Sequence, residues 1–291
     1  MVQTLGREFV PPAAFTLRAS IGVLLFTGLG VTVGNLLRVS VSTSETAVGA
    51  VVGLGAALGV LDWAVVRVVA MWWFLSAVVA FWVSAFVGRY LYFRIAAWLD
   101  FGAGERSRLA ELAIVGIGCY MAFSAGASNV ANAVAPLVGS GQLAMRPGVA
   151  LGVVAIGAGG FLIGPRTMET IGEGVTELSM EAALVVELVA ATIIAALSYA
   201  GIPASLAITA TMCVIGLGWG RATRRNTLRR FLDPREVRRH TANRGDSPTE
   251  VEDLSSPVVN GRIVWAWIVT PTMACVLSYG CFEAALAAGL L

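Results

Sequence analysis

Charge is what this sequence has least of. Only 13% of its 291 residues are charged, where a soluble domain carries about a quarter. Mean hydropathy is +0.79, 57% of the residues are hydrophobic, and several apolar runs approach the roughly 18 residues that mark a membrane helix. A soluble enzyme, a nucleic-acid binder and a secreted disulfide scaffold are excluded at this step. Lysine is absent, all 20 basic residues being arginine, and the single histidine, His240, lies in a polar stretch. The four cysteines (Cys119, Cys213, Cys275, Cys281) sit inside apolar segments, where cysteine behaves as a small hydrophobe and implies no disulfide framework. The first 18 residues hold Arg7, Glu8, Pro11 and Pro12 and lack the apolar core of a signal peptide. HExxH, CxxC, Walker and GxSxG patterns are all missing, so no catalytic or metal-ligating set emerges.

What is there is a series of apolar segments, at about 19–37, 46–61, 64–87, 109–124, 149–164, 182–200, 203–220 and 263–290. The stretch 124–142 consists of small and polar residues with Pro136. Irregular backbone at membrane depth is tolerated only where it is buried in protein or lines a cavity. The reading is therefore an all-α, polytopic membrane protein of about eight segments, broken at 124–142.

One long polar stretch, 221–262, interrupts the pattern with nine arginines between Arg221 and Arg244 and an acidic part beyond. Placing it in the cytoplasm puts Arg38, Arg89, Arg94, Arg106, Arg108 and Arg166 inside as well, which is what the positive-inside rule requires. Both ends of the chain then fall on the exterior side of a plasma membrane.

Two parts of the chain read alike. Thr4-Leu5-Gly6, a helix, Val41-Ser42-Thr43-Ser44 and a helix ending Gly53-Leu54-Gly55 are followed by a Trp-rich span. Thr170-Ile171-Gly172, a helix, Ala204-Ser205 and a helix ending Gly216-Leu217-Gly218 are followed by another. The matched points are offset by 163 to 166 residues. An odd number of span steps separates the copies, so they face opposite ways, the architecture of secondary transporters. We divide the chain into a first repeat, 1–108, and a second, 109–291, interrupted by the loop 221–262.

Three places carry candidate chemistry. The string Gly126-Ala127-Ser128-Asn129-Val130-Ala131-Asn132-Ala133 combines small residues with Ser128, Asn129 and Asn132, uncharged groups that can hold an oxyanion or, through carbonyls, a cation; packing through small residues is the alternative. Ser42, Thr43 and Ser44 precede a helix, where hydroxyls cap the N-terminus and its dipole favours an anion; the second copy keeps Ser205. Glu187 lies within an apolar span, and an intramembrane carboxylate marks an ion or proton pathway. Glu45 and Glu283 lie nearer span ends and read as interfacial.

These residues resemble the inorganic phosphate transporter (PiT) family of secondary anion transporters. The string 126–133 is similar to that family's GANDVANA signature, and Val41–Glu45 and Gly201–Ser205 are similar to its two GlPVSTTH segments. Glu169-Thr170-Ile171-Gly172 and Glu187-Leu188 also match family positions. The resemblance implies symport of inorganic phosphate with sodium or a proton, usually by a homodimer in the lipid bilayer. Ser128, Asn129, Asn132, Ser42, Thr43, Ser44 and Ser205 then line the anion site, with Glu187 and Asn129 serving the coupling ion. No cofactor beyond that ion is implied. The departures are local: Ser128-Asn129 stands where the family has Asn-Asp, and Glu45 and Ile208 stand where it has histidines. A permease for another oxyanion such as sulfate, and a transport-inactive protein of the same fold, are the competing readings. A complete repeat further predicts two more helices with a second signature ahead of Met1.

Overall fold

The computed structural model describes residues 1–36, 41–99, 108–172, 178–225 and 257–289. Every regular element among them is helical. After two short helical turns, Thr4–Glu8 and Pro12–Ala14, the α-helices in chain order are α1 (Leu17–Leu36), α2 (Thr43–Ala57), α3 (Trp63–Phe86), α4 (Tyr92–Leu99), α5 (Arg108–Gly139), α6 (Met145–Gly172), α7 (Met180–Tyr199), α8 (Leu206–Arg225) and α9 (Pro257–Ala287). A π-helical turn, Val87–Leu91, joins α3 to α4, so Trp63–Ala97 runs as one apolar rod. Seven helices among the described residues are long and apolar enough to cross a membrane.

The eighth expected segment, 46–61, is α2, and it does not have the length. Its 15 residues rise about 22 Å at 1.5 Å each, short of a hydrocarbon core of about 30 Å. It is also unlike a lipid-facing helix in its burial, with an unbroken run from Ser44 to Val51 hidden inside the protein, interrupted by no exposed position. A helix apolar and buried on all sides belongs to the core of a bundle. Ser42 caps it, its Oγ accepting from the Glu45 N–H at 3.2 Å.

The expected break at 124–142 is confined to its last residues, the turn at 140–142. The helix α5 is continuous through Gly139, carrying Pro136 within it. Small residues do not themselves break a helix whose ladder stays intact, and glycine and proline are frequent in membrane helices. Pro136 stands one turn from the end, so the single N–H it lacks removes little of the ladder. The Ser20 hydroxyl of α1 donates to the Pro136 carbonyl at 3.3 Å.

The glycines of α2 and α8 set how closely the core packs. A Cβ on Gly53 would run into the Cys275 carbonyl of α9, and one on Gly216 into the Phe81 carbonyl of α3. Each contact is helix backbone against helix backbone, which only glycine permits. So α2 lies along α9 and α8 along α3, in addition to the contacts each keeps with the helix before it, α1 and α7. Ser278 Oγ adds a hydrogen bond to the Ala50 carbonyl at 2.7 Å, and Cys213 Sγ one to the Ala80 carbonyl at 3.8 Å; Ala50 and Cys213 are themselves 163 positions apart.

Local geometry repeats at the same spacing. The helices α1 and α7 each have 20 residues, and α7 and α8 begin 163 positions after α1 and α2. Ser205 Oγ accepts from the Ile208 N–H at 3.2 Å, as Ser42 does from Glu45. The Thr209 hydroxyl donates to the Ser205 carbonyl at 2.7 Å, as Thr46 does to the Ser42 carbonyl at 2.7 Å. At one end of the molecule, Arg221 stands over the Tyr92 ring at 4.4 Å and Arg224 over Phe93 at 4.6 Å. Arg224 Nη1 also reaches the Arg89 carbonyl at 3.4 Å. The arginine-rich end of α8 and the turn after α3 therefore share a face. Most of the loop 221–262 lies outside the described residues.

Candidate functional site

The capped N-terminus of α2 meets the middle of α5. Its first turn carries three hydroxyls, and two of them pair with the small-polar string 126–133. The Thr43 hydroxyl donates to Asn129 Oδ1 at 2.6 Å. Ser44 Oγ and Ser128 Oγ stand 3.2 Å apart, and Asn132 Nδ2 donates to Ser44 Oγ at 2.9 Å. Residues 128, 129 and 132 share one face of α5 because positions three and four apart are neighbours on a helix. Ser42, Ser44, Ser128 and Asn132 are buried, while Thr43 and Asn129 are half-buried at the edge of the cluster.

This arrangement has unspent capacity. Asn132 Oδ1 and, two turns earlier, Ser124 Oγ are buried without a hydrogen-bond partner. A buried acceptor left unpaired is costly, on the order of 1–3 kcal/mol, and such an orphan in a native protein calls for a donor from elsewhere. The N–H groups of Thr43 and Ser44 precede the first intrahelical bond, Thr46 N–H to the Ser42 carbonyl at 3.0 Å, and so add donors at the positive end of the helix dipole. The cluster thus combines hydroxyls, amides and oriented backbone N–H groups, and it contains no charge. It can solvate an oxyanion without repelling it; it holds no nucleophile–base pair.

Six of the seven expected anion-site residues are brought together here. Ser205 is not: it caps α8 and makes no hydrogen bond to the α5 string among the described residues. Glu187 lies half-buried on α7, eight residues into that helix, and makes no hydrogen bond to the hydroxyl cluster among the described residues. The side chains of Glu169, Thr170 and Ile171 lie outside the described residues.

Glu45 departs most from its sequence reading. It is 4% exposed, enclosed by protein at the start of α2. It lines a cavity of about 470 Å³ together with Trp73, Ile208, Trp267, Pro271 and Cys275, a wall to which no residue of α5 contributes among the described residues. The signal that could have found it was the repeat itself, since Glu45 and Ile208 are matched positions and both reach this cavity.

Residues 101–278 match the family described as "Phosphate transporter family". The chain belongs to that family. A relative is the sulfate permease CysP of Bacillus subtilis (strain 168), 31% identical over 219 residues, covering 75% of this chain and 61% of that one. A protein named "Putative phosphate permease" from Pyrococcus horikoshii is 34% identical over 116 residues, covering 36% of this chain and 29% of that one. The chain thus spans less than two thirds of the length of either relative. Among solved structures, "The sodium-dependent phosphate transporter" matches with a TM-score of 0.74 over 98% of this chain and 84% of that one, at 16% identity. At that identity the likeness shows the fold alone. The family and the structural neighbour are transporters, not enzymes, and the family, the fold and the seven apolar helices make this a multi-pass membrane protein.

Proposed function

We propose that this phosphate transporter family member is an oxyanion permease for inorganic phosphate, working by alternating access and driven by a coupling ion. The observation that carries the reading is the cluster of Ser42, Thr43, Ser44, Ser128, Asn129 and Asn132 around the N-terminus of α2, with its unpaired Asn132 Oδ1. Near neutral pH phosphate retains at least one proton and sulfate retains none. A protonated oxyanion can donate to Asn132 Oδ1, and sulfate leaves that acceptor unpaired. Sulfate is nevertheless the second reading, because the sulfate permease of Bacillus subtilis covers 75% of the chain.

In this reading Ser205 belongs to the anion path through the second half, Asn129 and Glu187 serve the coupling ion (sodium or a proton), and the protein works as a homodimer in the plasma membrane. Residues 1–108 and 109–291 form two inverted repeats. The matched caps at Ser42 and Ser205 and the crossed packing of α2 on α9 and α8 on α3 support that division. Uptake of radiolabelled phosphate and sulfate into proteoliposomes, under sodium or proton gradients, tests the reading. Saturable phosphate uptake that sulfate competes for poorly is expected, and Glu187→Gln should abolish its ion-driven part while leaving the protein inserted. Uptake of sulfate alone moves the assignment to the second reading, and uptake of neither anion makes the chain transport-inactive.

A further inference from the structure

The cavity behind α2 holds one carboxyl group in a wall that is otherwise almost wholly apolar. Val48, Val52, Val66, Ala70, Ile208 and Val276 line it around Glu45. No arginine or histidine lies on that wall among the described residues, and the only other titratable lining group is the Cys275 thiol on α9. On α3 the nearest charge is Arg67, which is exposed and donates from Nε to the Trp63 carbonyl. On α5 the groups facing α2 are the uncharged Ser128, Asn129 and Asn132. Within Leu17–Leu36, α1 has a single titratable residue, Arg18, at its start, and α8 presents Ile208 to the cavity. A charge buried in such surroundings needs a counter-charge, and the described side chains supply none.

We propose that Glu45 is a proton-binding group of transport: its carboxylate takes up one proton from the aqueous phase on one side, becoming a neutral carboxyl in the cavity, and releases it on the other. Hard metal cations require a shell of several oxygens. The side chains of this wall offer oxygen only from Glu45 and from the Thr272 hydroxyl, which itself donates to the Ile268 carbonyl at 2.6 Å. A proton needs a single carboxylate. The same wall carries Trp267, whose buried indole N–H has no hydrogen-bond partner, a donor available to the ionised form directly or through a water. The geometry also gives the link to the anion. Glu45 is the third residue of α2, and the two before it, Thr43 and Ser44, hold the cluster on α5. Protonation on one side of this single helical turn and anion binding on the other therefore act on the same rigid element.

The inference rests on the transporter reading, so its test has an arm that needs no transport. Infrared difference spectra of the purified protein, recorded across pH in wild type and Glu45→Gln, should show a protonated-carboxyl stretch that titrates in the first and is absent from the second. An unchanged titrating band in Glu45→Gln overturns the proposal, as does a wild type with no such band. The second arm is proteoliposome uptake of inorganic phosphate driven by an imposed pH gradient. Glu45→Gln should lose tenfold or more of the gradient-driven accumulation and its rate should become flat with pH, while Glu45→Asp restores a pH-dependent rate. Wild-type accumulation and pH profile in Glu45→Gln sink the proposal. Wild-type protein that moves neither phosphate nor sulfate overturns the permease reading instead, and the infrared arm still decides whether Glu45 holds the proton.

Discussion

Ser44 is the residue on which the polar cluster turns, because it accepts from Asn132 Nδ2 at 2.9 Å and lies 3.2 Å from Ser128 Oγ. Truncating it leaves the Asn132 amide without its acceptor in a buried place, where Oδ1 is already unpaired. The cost is about 1–3 kcal/mol. Ser44→Ala should therefore lower the midpoint of thermal unfolding in detergent by a few degrees and reduce phosphate uptake at least tenfold, whereas Ser44→Thr, which keeps the hydroxyl, should retain part of both. Asn129 makes a different argument. Its Oδ1 accepts from Thr43 at 2.6 Å, and an aspartate at that position keeps the same acceptor while adding a full charge. Charge dominates cation attraction where the dielectric is low. Asn129→Asp should raise the dependence of uptake on sodium or pH severalfold; an unaltered dependence would show that this position does not face the coupling ion. The hydroxyl and amide residues were legible in the sequence because polar side chains stand out against an apolar run. The role of Glu45 was not. A carboxylate three residues into a helix looks like a span end, and only the placement of α3, α8 and α9 around it reveals that the helix end is buried.

At the scale of the element, the two glycine contacts make the sharpest claim. The Cβ of Gly53→Ala would meet the Cys275 carbonyl and approach Ser278 Cβ to 2.7 Å, and that of Gly216→Ala would meet the Phe81 carbonyl and come within 2.9 Å of its carbon. In both cases the obstacle is backbone, so no side-chain rotation relieves it and the helices must move apart. Overpacking of this kind costs about 1–3 kcal/mol or more. Gly218→Ala is the control, since nothing lies within 4 Å of a Cβ there and alanine favours a helix over glycine by up to about 1 kcal/mol. Thermal stability measured by size-exclusion chromatography should fall for the first two variants and hold or rise for the third. Equal behaviour of all three would refute the crossed packing of α2 on α9 and α8 on α3. Hydropathy alone located the seven helices long and apolar enough to cross a membrane, but it could not separate them from a shorter apolar helix. The 16-residue apolar run at 46–61 becomes a 15-residue helix because its boundary is set by the Ser42 cap and by Gly59 at φ 66°, a left-handed conformation that suits glycine. The continuity of α5 was also beyond the sequence. Its small residues are compatible with either a break or close packing, and the partners on α2 and α1 decide for the helix.

For the whole molecule the remaining question is which face looks inward, and the structure ties two separate arginine groups into one answer. Arg221 and Arg224 at the end of α8 stack on Tyr92 and Phe93, and Arg224 reaches the Arg89 carbonyl. Whichever side holds the start of the loop 221–262 therefore also holds the turn after α3, and the two cannot be oriented independently. The nine arginines from Arg221 to Arg244, joined by Arg89 and Arg94, form the heaviest concentration of positive charge in the chain. The tight turn between α5 and α6, with exposed Gly141 and Gln142, has only Arg146 close by. Positive charge near span ends is retained on the cytoplasmic side, so the loop should be cytoplasmic and the α5–α6 turn exterior. The measurement uses two single-cysteine variants, Thr241→Cys and Gln142→Cys, in a background where the four native cysteines are serine. A membrane-impermeant maleimide applied to intact cells should label Gln142→Cys and spare Thr241→Cys until the membrane is permeabilised. Labelling of Thr241→Cys in intact cells would invert the topology. It would also place Arg89 and Arg94 outside, because the contacts at Tyr92 and Phe93 hold the two groups on the same face.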